Sequence, residues 1–379
     1  MREGAHYCDY NAGAPLRPQA VAATTAALGE VGNPSSVHAA GRRAKARLEA
    51  ARDDVAAALG ARPRDLVFTS GATEALHLAL EGARRAAPGM RLILSAIEHD
   101  AVAEAAREWP GAMRAPVNRD GVIDLEALEA LLADGPPALV ALMLANNETG
   151  AIQPVAAAAR LVHAAQGVLL VDAAQALGRI EIDMIRLGAD ALAVSSVKAG
   201  GPPGAGALVL TPGFPFAPPR AGGGQERGAR PGTENVPAIS GFGAACAAAV
   251  ADLGAQAHAV RALRDRFESG LARIAPDAVI FAQDAARLPN TTLAAFPGRR
   301  AEAALISLDL AGVAASSGAA CSSGKVRASR VLAAMDVPAA LSQCALRFSF
   351  GWATTDADID AALTALGRIC APRLEGAVS

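Results

Sequence analysis

Along the first 210 residues, short apolar runs alternate with longer stretches whose apolar positions recur at helical spacing. The runs Leu66–Phe68, Arg91–Leu94, Leu139–Leu144 and Val168–Val171 have the length and continuity of strands buried on both faces. Between them, segments near 39–59, 100–108 and 155–165 read as helices, and Asp124 caps a further one running to Leu132. Strand and helix in this alternation predict a mainly parallel sheet covered by helices on both faces.

The pattern changes after Leu210. Residues 212–237 are rich in Gly and Pro, too long for an ordinary loop, and are expected to be functional or to pack on a partner. One long helix is predicted from about Ala238 to beyond Phe267. A smaller α+β region follows, with strands near Val279–Phe281, Thr292–Phe296 and Leu346–Phe350. The last helix starts at the capping-box pattern Thr355–Asp358 and ends near Cys370. These readings divide the chain into a large domain, 14–250, and a small one, 1–13 with 251–379.

Composition narrows the function classes. The 379 residues are 52% hydrophobic but only 3% aromatic, so the core is built mostly from Ala, Val and Leu. A net charge of −2 offers no basic footprint for nucleic acid or an anionic membrane. The longest small-apolar stretch, Ala238–Ala251, ends at Asp252 and is too short to span a bilayer. Five scattered cysteines without a C-x-x-C pair suit free thiols in a reducing compartment, and no His spacing suggests a metal. The expectation is a cytoplasmic globular protein.

The chemistry centres on residues 191–210, where an apolar strand stops at Ser195–Ser196, a lysine follows, and a Gly/Pro turn leads into another apolar run. Of 35 Lys and Arg residues only Lys45, Lys198 and Lys325 are lysines. Arginine can replace a solvated charge but cannot lose its proton to attack a carbonyl, so Lys198 in an apolar setting is a candidate Schiff-base former. Thr73, His99, Asn147, Asp172, Gln175 and Ser195 also fall just past strand ends. Thr73, with Ala72 opening a helix beside it, and Ser195 suit a phosphate. Asp172 suits a cationic ring nitrogen, and Lys198 a carbonyl. Singly, each has a plainer reading: Asp172 as an N-cap, Asn147 as a turn former, Gln175 as a surface residue. Together, in order, they describe a pyridoxal phosphate site.

On these residues the sequence resembles the NifS/IscS-type cysteine desulfurases, which are class V aminotransferases of the large PLP-dependent transferase fold. The resemblance runs through 32–36, 68–74, Glu98–His99, 146–150, 172–175, 222–226, 232–235, 316–323 and 347–351. It implies that His99 stacks on the cofactor ring and moves protons, that Asp172 pairs with the ring nitrogen, and that Asn147 and Gln175 contact the ring. It implies phosphate binding by Thr73 and Ser195, joined by Thr233 from the second subunit of a homodimer. Arg347, with Asn33 nearby, would hold the substrate carboxylate. Cys321, between Gly318 and Gly324 among serines, would take sulfur from L-cysteine as a persulfide, release alanine, and pass the sulfur to an acceptor protein of iron–sulfur or thio-cofactor synthesis. The chain departs from the family at Val197, usually His, at Leu76–His77, usually Asn–Asn, at Pro231, usually Ser, and at Pro203, usually Lys. Selenocysteine lyase or aminotransferase activity, or a weakly active assembly partner that binds the cofactor, are the alternative readings.

Overall fold

The computed structural model describes residues 5–317 and 328–371. Strand β1 (His6–Tyr7) precedes the seven strands of a large sheet: β2 (Leu66–Thr69), β3 (Arg91–Ser95), β4 (Met113–Ala115), β5 (Ala138–Met143), β6 (Val168–Asp172), β7 (Ala191–Ser195) and β8 (Gly206–Leu210). Their order is β2-β8-β7-β6-β5-β3-β4, and only β8 runs against its neighbours. The mainly parallel sheet expected from the alternation is therefore present. Its register sets Met143 opposite Asp172 and Asp172 opposite Ala193, so the C-terminal ends of the central strands lie along one edge.

Strand alternation sends successive residues to opposite faces. Val140, Leu142, Leu169, Val171, Leu192 and Val194 join a core shared with helices α2 (Ala39–Ala58), α5 (Leu125–Ala133) and α6 (Val155–Ala164), whereas α1 (Pro18–Leu28) lies outside it. Their neighbours Leu139, Ala141, Leu170, Ala191 and Ala193 pack against α3 (Ala72–Ala86) and α4 (Asp100–Ala105). Each such fully buried Val or Leu contributes about 1.5–3 kcal/mol, so the central strands are held from both sides. One glycine is required for the close packing at the sheet edge. A Cβ on Gly206 would lie 2.6 Å from the Cα of Gly71, so β8 passes under the turn into α3 only without a side chain.

An antiparallel sheet of β9 (Val279–Ile280), β10 (Thr291–Ala295) and β12 (Ala345–Ser349) follows, while β11 (Val313–Ala314) pairs in parallel with β1. Phe267, Phe296, Phe348 and Phe350 form its core together with Cys8 from the other end of the chain. The final helix, Asp356–Cys370, begins with the expected reciprocal capping box between Thr355 and Asp358.

The single long helix expected past Ala238 is instead two, Val236–Ala251 and Leu253–Ile274, bent by 77° at Asp252. The first packs against α1 and α2, while Val260, Phe267 and Leu271 of the second belong to the small-sheet core. One straight rod cannot face both. No single described helix is long and apolar enough to cross a membrane.

The Gly/Pro-rich segment is tied to the sheet by one buried ion pair. Arg52 donates through Nη1 and Nη2 to the two carboxylate oxygens of Glu226, each at 2.8 Å, and the Phe68 N–H donates to the same carboxylate. Glu226 and Arg227 hold left-handed backbone angles, φ 49° and 57°, at this anchor.

Candidate active site

Five strand ends open into one cleft of about 610 Å³. Residues 70–74 follow β2, His99 follows β3, Asn147 follows β5, Asp172 and Gln175 end β6, and Lys198 follows β7 through the short 3₁₀ turn Ser196–Lys198. This is where open α/β sheets take ligands, because strands stop there and loops can carry polar groups. Ala72, Thr73, His99, Asn147, Asp172, Gln175, Ser195, Lys198 and Arg347 all line it.

Lys198 Nζ donates to the carbonyls of Asn11 and Ala12, at 2.8 and 2.6 Å. Burial, then the positive charges of Arg179 and Arg347, lower its pKa to about 8, against the smaller opposing pull of Asp9 and Asp172. A neutral amine is thus accessible near physiological pH, as nucleophilic attack on a carbonyl requires. Asp172 Oδ1 accepts the Ala174 N–H at 2.9 Å, and the carboxylate makes no ion pair with any described residue. Burial raises its pKa, while Ala174 N–H, His99 and Lys198 pull it back. Beside it, Glu98 is buried and accepts the Met143 N–H at 2.7 Å. Burial, then the Asp172 charge, push that carboxyl well above the usual range.

The helix α3 starts at Gly71 without a capping side chain, so its first-turn N–H groups face the cleft together with the hydroxyls of Thr73 and Ser195. Glu74, the one acid there, is occupied by Arg230 at 3.0 Å. His99 caps α4: its Nδ1 accepts the Ala101 N–H at 3.1 Å, which puts the proton of the neutral ring on Nε2. His77, one of the departures from the family pattern, bonds through Nε2 to the Ala101 carbonyl at 2.9 Å and braces the same turn. Val197 lines the cleft with an alkyl side chain, and its carbonyl accepts the Ala14 N–H at 2.8 Å.

Arg347 projects from β12 and is buried. Nη1 donates to the Asn147 carbonyl at 3.0 Å, Nη2 to Asp9 at 2.8 Å, and Nε has no partner among the described residues. Asp9, Asn11, Ala12 and Arg179 were not singled out from the sequence. The first three sit in what reads as a turn-rich entry segment, and nothing local marks it as crossing the cleft.

Two residues of the expected set do not reach the cleft of this chain. Asn33 is exposed in the loop before α2, where its side chain accepts the Ser35 N–H at 2.9 Å and its carbonyl the Ser36 N–H, closing a turn on itself. Thr233 is exposed in the Gly/Pro-rich segment. Cys321 lies outside the described residues. The described chain on either side is fixed close by: Ser316, which lines the cleft, pairs with Arg347 through two backbone hydrogen bonds, and Ser329 Oγ donates to Glu148, the neighbour of Asn147, at 2.6 Å. The described cysteines Cys8, Cys246, Cys344 and Cys370 are all buried, and burial pushes the thiol of Cys8 up to about 12. Among the described residues no cluster of three or more His, Cys, Asp or Glu could hold a metal.

The chain is similar over nearly its whole length to known proteins. A family model described as aminotransferase class-V matches residues 6–362. A cysteine desulfurase of Cereibacter sphaeroides is 43% identical over 368 residues, covering 95% of this chain and 94% of that protein. An IscS-like cysteine desulfurase of Mycobacterium tuberculosis is 39% identical over 372 residues, 95% of each. The crystal structure of a NifS-like protein from Rickettsia africae superposes with a TM-score of 0.90 at 34% identity, over 96% of this chain and 99% of that one.

Proposed function

The chain belongs to the class V aminotransferase family, among its NifS/IscS-like cysteine desulfurases, and from that premise we propose how its residues take sulfur from L-cysteine. The observation that carries the assignment of the site is the convergence of Lys198, Asp172, the open start of α3 and Arg347 in one cleft.

The residues present suit pyridoxal phosphate. The uncapped N-terminus of α3, with Thr73 and Ser195, would hold a phosphate. Asp172, buried and without an ion pair among the described residues, would hold a cationic ring nitrogen, and Lys198 supplies the amine for an aldehyde. Asn147 and Gln175 would contact the ring, and His99 would lie against it with its Nε2 proton available for transfer. When bound, the cofactor supplies an electron sink for the substrate carbon. Thr233 would complete the phosphate site of a second subunit in a homodimer, a role its exposure supports, and Asn33 would act near the carboxylate in the same way.

Arg347 would bind the substrate carboxylate through a guanidinium whose Nε has no partner among the described residues. Cys321 acts as the nucleophile: its thiolate attacks the sulfur of the bound cysteine, an S–S bond forms, the Cβ–S bond breaks, and the carbon fragment gains a proton to leave as alanine. The anchors at Ser316 and Ser329 support this role, because Ser316 is held in the cleft wall and Ser329 on Glu148 beside Asn147. The persulfide would pass to an acceptor protein in iron–sulfur cluster or thio-cofactor assembly. We divide the chain accordingly, with 14–250 carrying the cofactor and 1–13 with 251–379 carrying the nucleophile.

The test is Cys321→Ser. Serine keeps the size and polarity of the position, but its hydroxyl lacks an activating base. The variant is expected to bind cofactor and change absorbance on adding L-cysteine, yet form no persulfide and release neither alanine nor sulfide. Turnover like that of the parent would refute the assignment.

A further inference from the structure

Arg179 is buried in the turn after β6, and among the described residues it makes no ion pair. Its Nη1 donates to the carbonyl of Gln175 at 2.9 Å and also to Gln175 Oε1, and its Nη2 donates to the Tyr10 carbonyl at 3.0 Å. A guanidinium can only donate, so Oε1 of Gln175 must face it and the NH₂ group must face away. That NH₂ group donates to the Asn11 carbonyl at 3.0 Å, the same oxygen that accepts Lys198 Nζ at 2.8 Å. Arg179 therefore holds the segment cradling the lysine at two points, directly at Tyr10 and through Gln175 at Asn11.

We propose that Arg179 is a positioning residue for the reactive amine: it fixes the Gln175 amide and the Asn11 carbonyl that hold Lys198, and it supplies an unneutralised positive charge behind them. The charge acts in the direction the amine needs. A cation nearby disfavours a second cation, and after burial Arg179 is the largest influence lowering the pKa of Lys198. The other charged groups bearing on Lys198 are Arg347, which lowers it, and Asp9 and Asp172, which raise it. Arg179 itself is held down to about 9 by burial and by Arg347. A carboxylate beside Arg179 would satisfy it better, but would cancel its effect on the lysine.

The inference deepens the role given to Lys198, and its test reads that lysine without any turnover. The chain has only three lysines, Lys45, Lys198 and Lys325. Full-length protein labelled with [¹³Cε]lysine and freed of cofactor should show three side-chain signals, with Lys198→Met identifying the third. In the parent the Lys198 signal should titrate near 8, the value its surroundings impose. In Arg179→Met it should move upward by about one unit or more, toward the ~10.4 of a solvated lysine. Gln175→Glu should move it the same way with Arg179 still present, because the new carboxylate neutralises the guanidinium. Arg179→Lys, which restores the charge and adds a fourth signal, should keep the midpoint low. An unmoved midpoint in a folded Arg179→Met protein, judged by unchanged Lys45 and Lys325 signals, overturns the proposal. If that variant does not fold, an unmoved midpoint in Gln175→Glu does so. Loss of desulfurase activity in Cys321→Ser, or its persistence, has no bearing on this titration, so the two readings fail separately.

Discussion

Replacing Glu226 by Gln tests what holds the Gly/Pro-rich segment to the sheet. Both oxygens of the Glu226 carboxylate accept from Arg52, and one also accepts from the Phe68 N–H, in a place where the two side chains are only 3% and 1% exposed. Glutamine removes the charge and turns one acceptor oxygen into an NH₂ group facing donors. The Arg52 guanidinium, stacked over the Phe68 ring at 4.7 Å, then stays buried without its counter-charge. Its remaining carboxylate, Glu49, is half exposed and contributes little. Removing one partner of such a pair costs about 3–5 kcal/mol, on the order of a 10²- to 5 × 10³-fold fall in the folding equilibrium constant. Two left-handed residues, Glu226 and Arg227, add strain of about 1 kcal/mol or more each, which the ion pair now offsets. The measurement is urea unfolding followed by circular dichroism at fixed cofactor concentration. The midpoint should drop with little change in slope, and Arg52→Met with Glu226→Leu should recover part of it: an apolar pair needs no counter-charge, but it leaves the Phe68 N–H without its acceptor. A Glu226→Gln protein within about 1 kcal/mol of the parent would show that the segment is held elsewhere.

Four further outcomes are expected. Borohydride reduction of the cofactor-loaded protein followed by peptide mapping should place the label on Lys198; a label on Lys45 or Lys325 would remove it from the site. With its amine near 8, cofactor capture by stripped protein should rise about tenfold from pH 7 to 9 and then level off, whereas an ordinary lysine would still be rising at pH 9. Val197→His restores a donor beside the cofactor, and hydrogen bonds to charged groups are worth about 1.5–3 kcal/mol, so equilibrium dialysis should show cofactor affinity unchanged or tightened; loss of binding would mean the cleft is built around the valine. Asp9→Asn removes the carboxylate that shares Arg347, so KM for L-cysteine should fall, and a rise would show that Asp9 is needed to aim the guanidinium rather than competing for it.

The strand ends were legible because their signal is local. An apolar run ending in a polar residue marks Asp172 or Ser195 from the sequence alone, and the parallel register then gathers them. The lysine was legible by scarcity. What could not be read depends on distant parts of the chain. Asp252 and Gly254 weaken a helix without ending it, and the bend exists because two separate cores claim its two halves. Arg179 looks like any turn arginine until Tyr10 and Gln175 are brought to it. Asp9 gains meaning only when Arg347, 338 residues away, arrives. Asn33 and Thr233 carry family motifs but are exposed on the single chain, and the motifs alone do not say that they stay out of its cleft.

The segment that cradles Lys198 also dictates when the cleft can exist. Asn11 is buried among Ser349, Thr291, Asn290 and Asn147, and its N–H donates to the hydroxyl of Ser349 across 338 residues of chain. At about 5–20 residues per second, a ribosome needs on the order of 20–70 s to get from one to the other. The large sheet, complete at Leu210, can fold before Ser349 is made, with Arg179 and Gln175 already holding Tyr10 and Asn11, but the Asn11 N–H then still lacks its acceptor. Contacts this distant in sequence are also the slowest to form by loop closure. The cleft is thus completed last: a chain cut short before β12 would carry the lysine and its carbonyls, but neither the Ser349 hydroxyl that takes the Asn11 N–H nor Arg347 in the cleft wall.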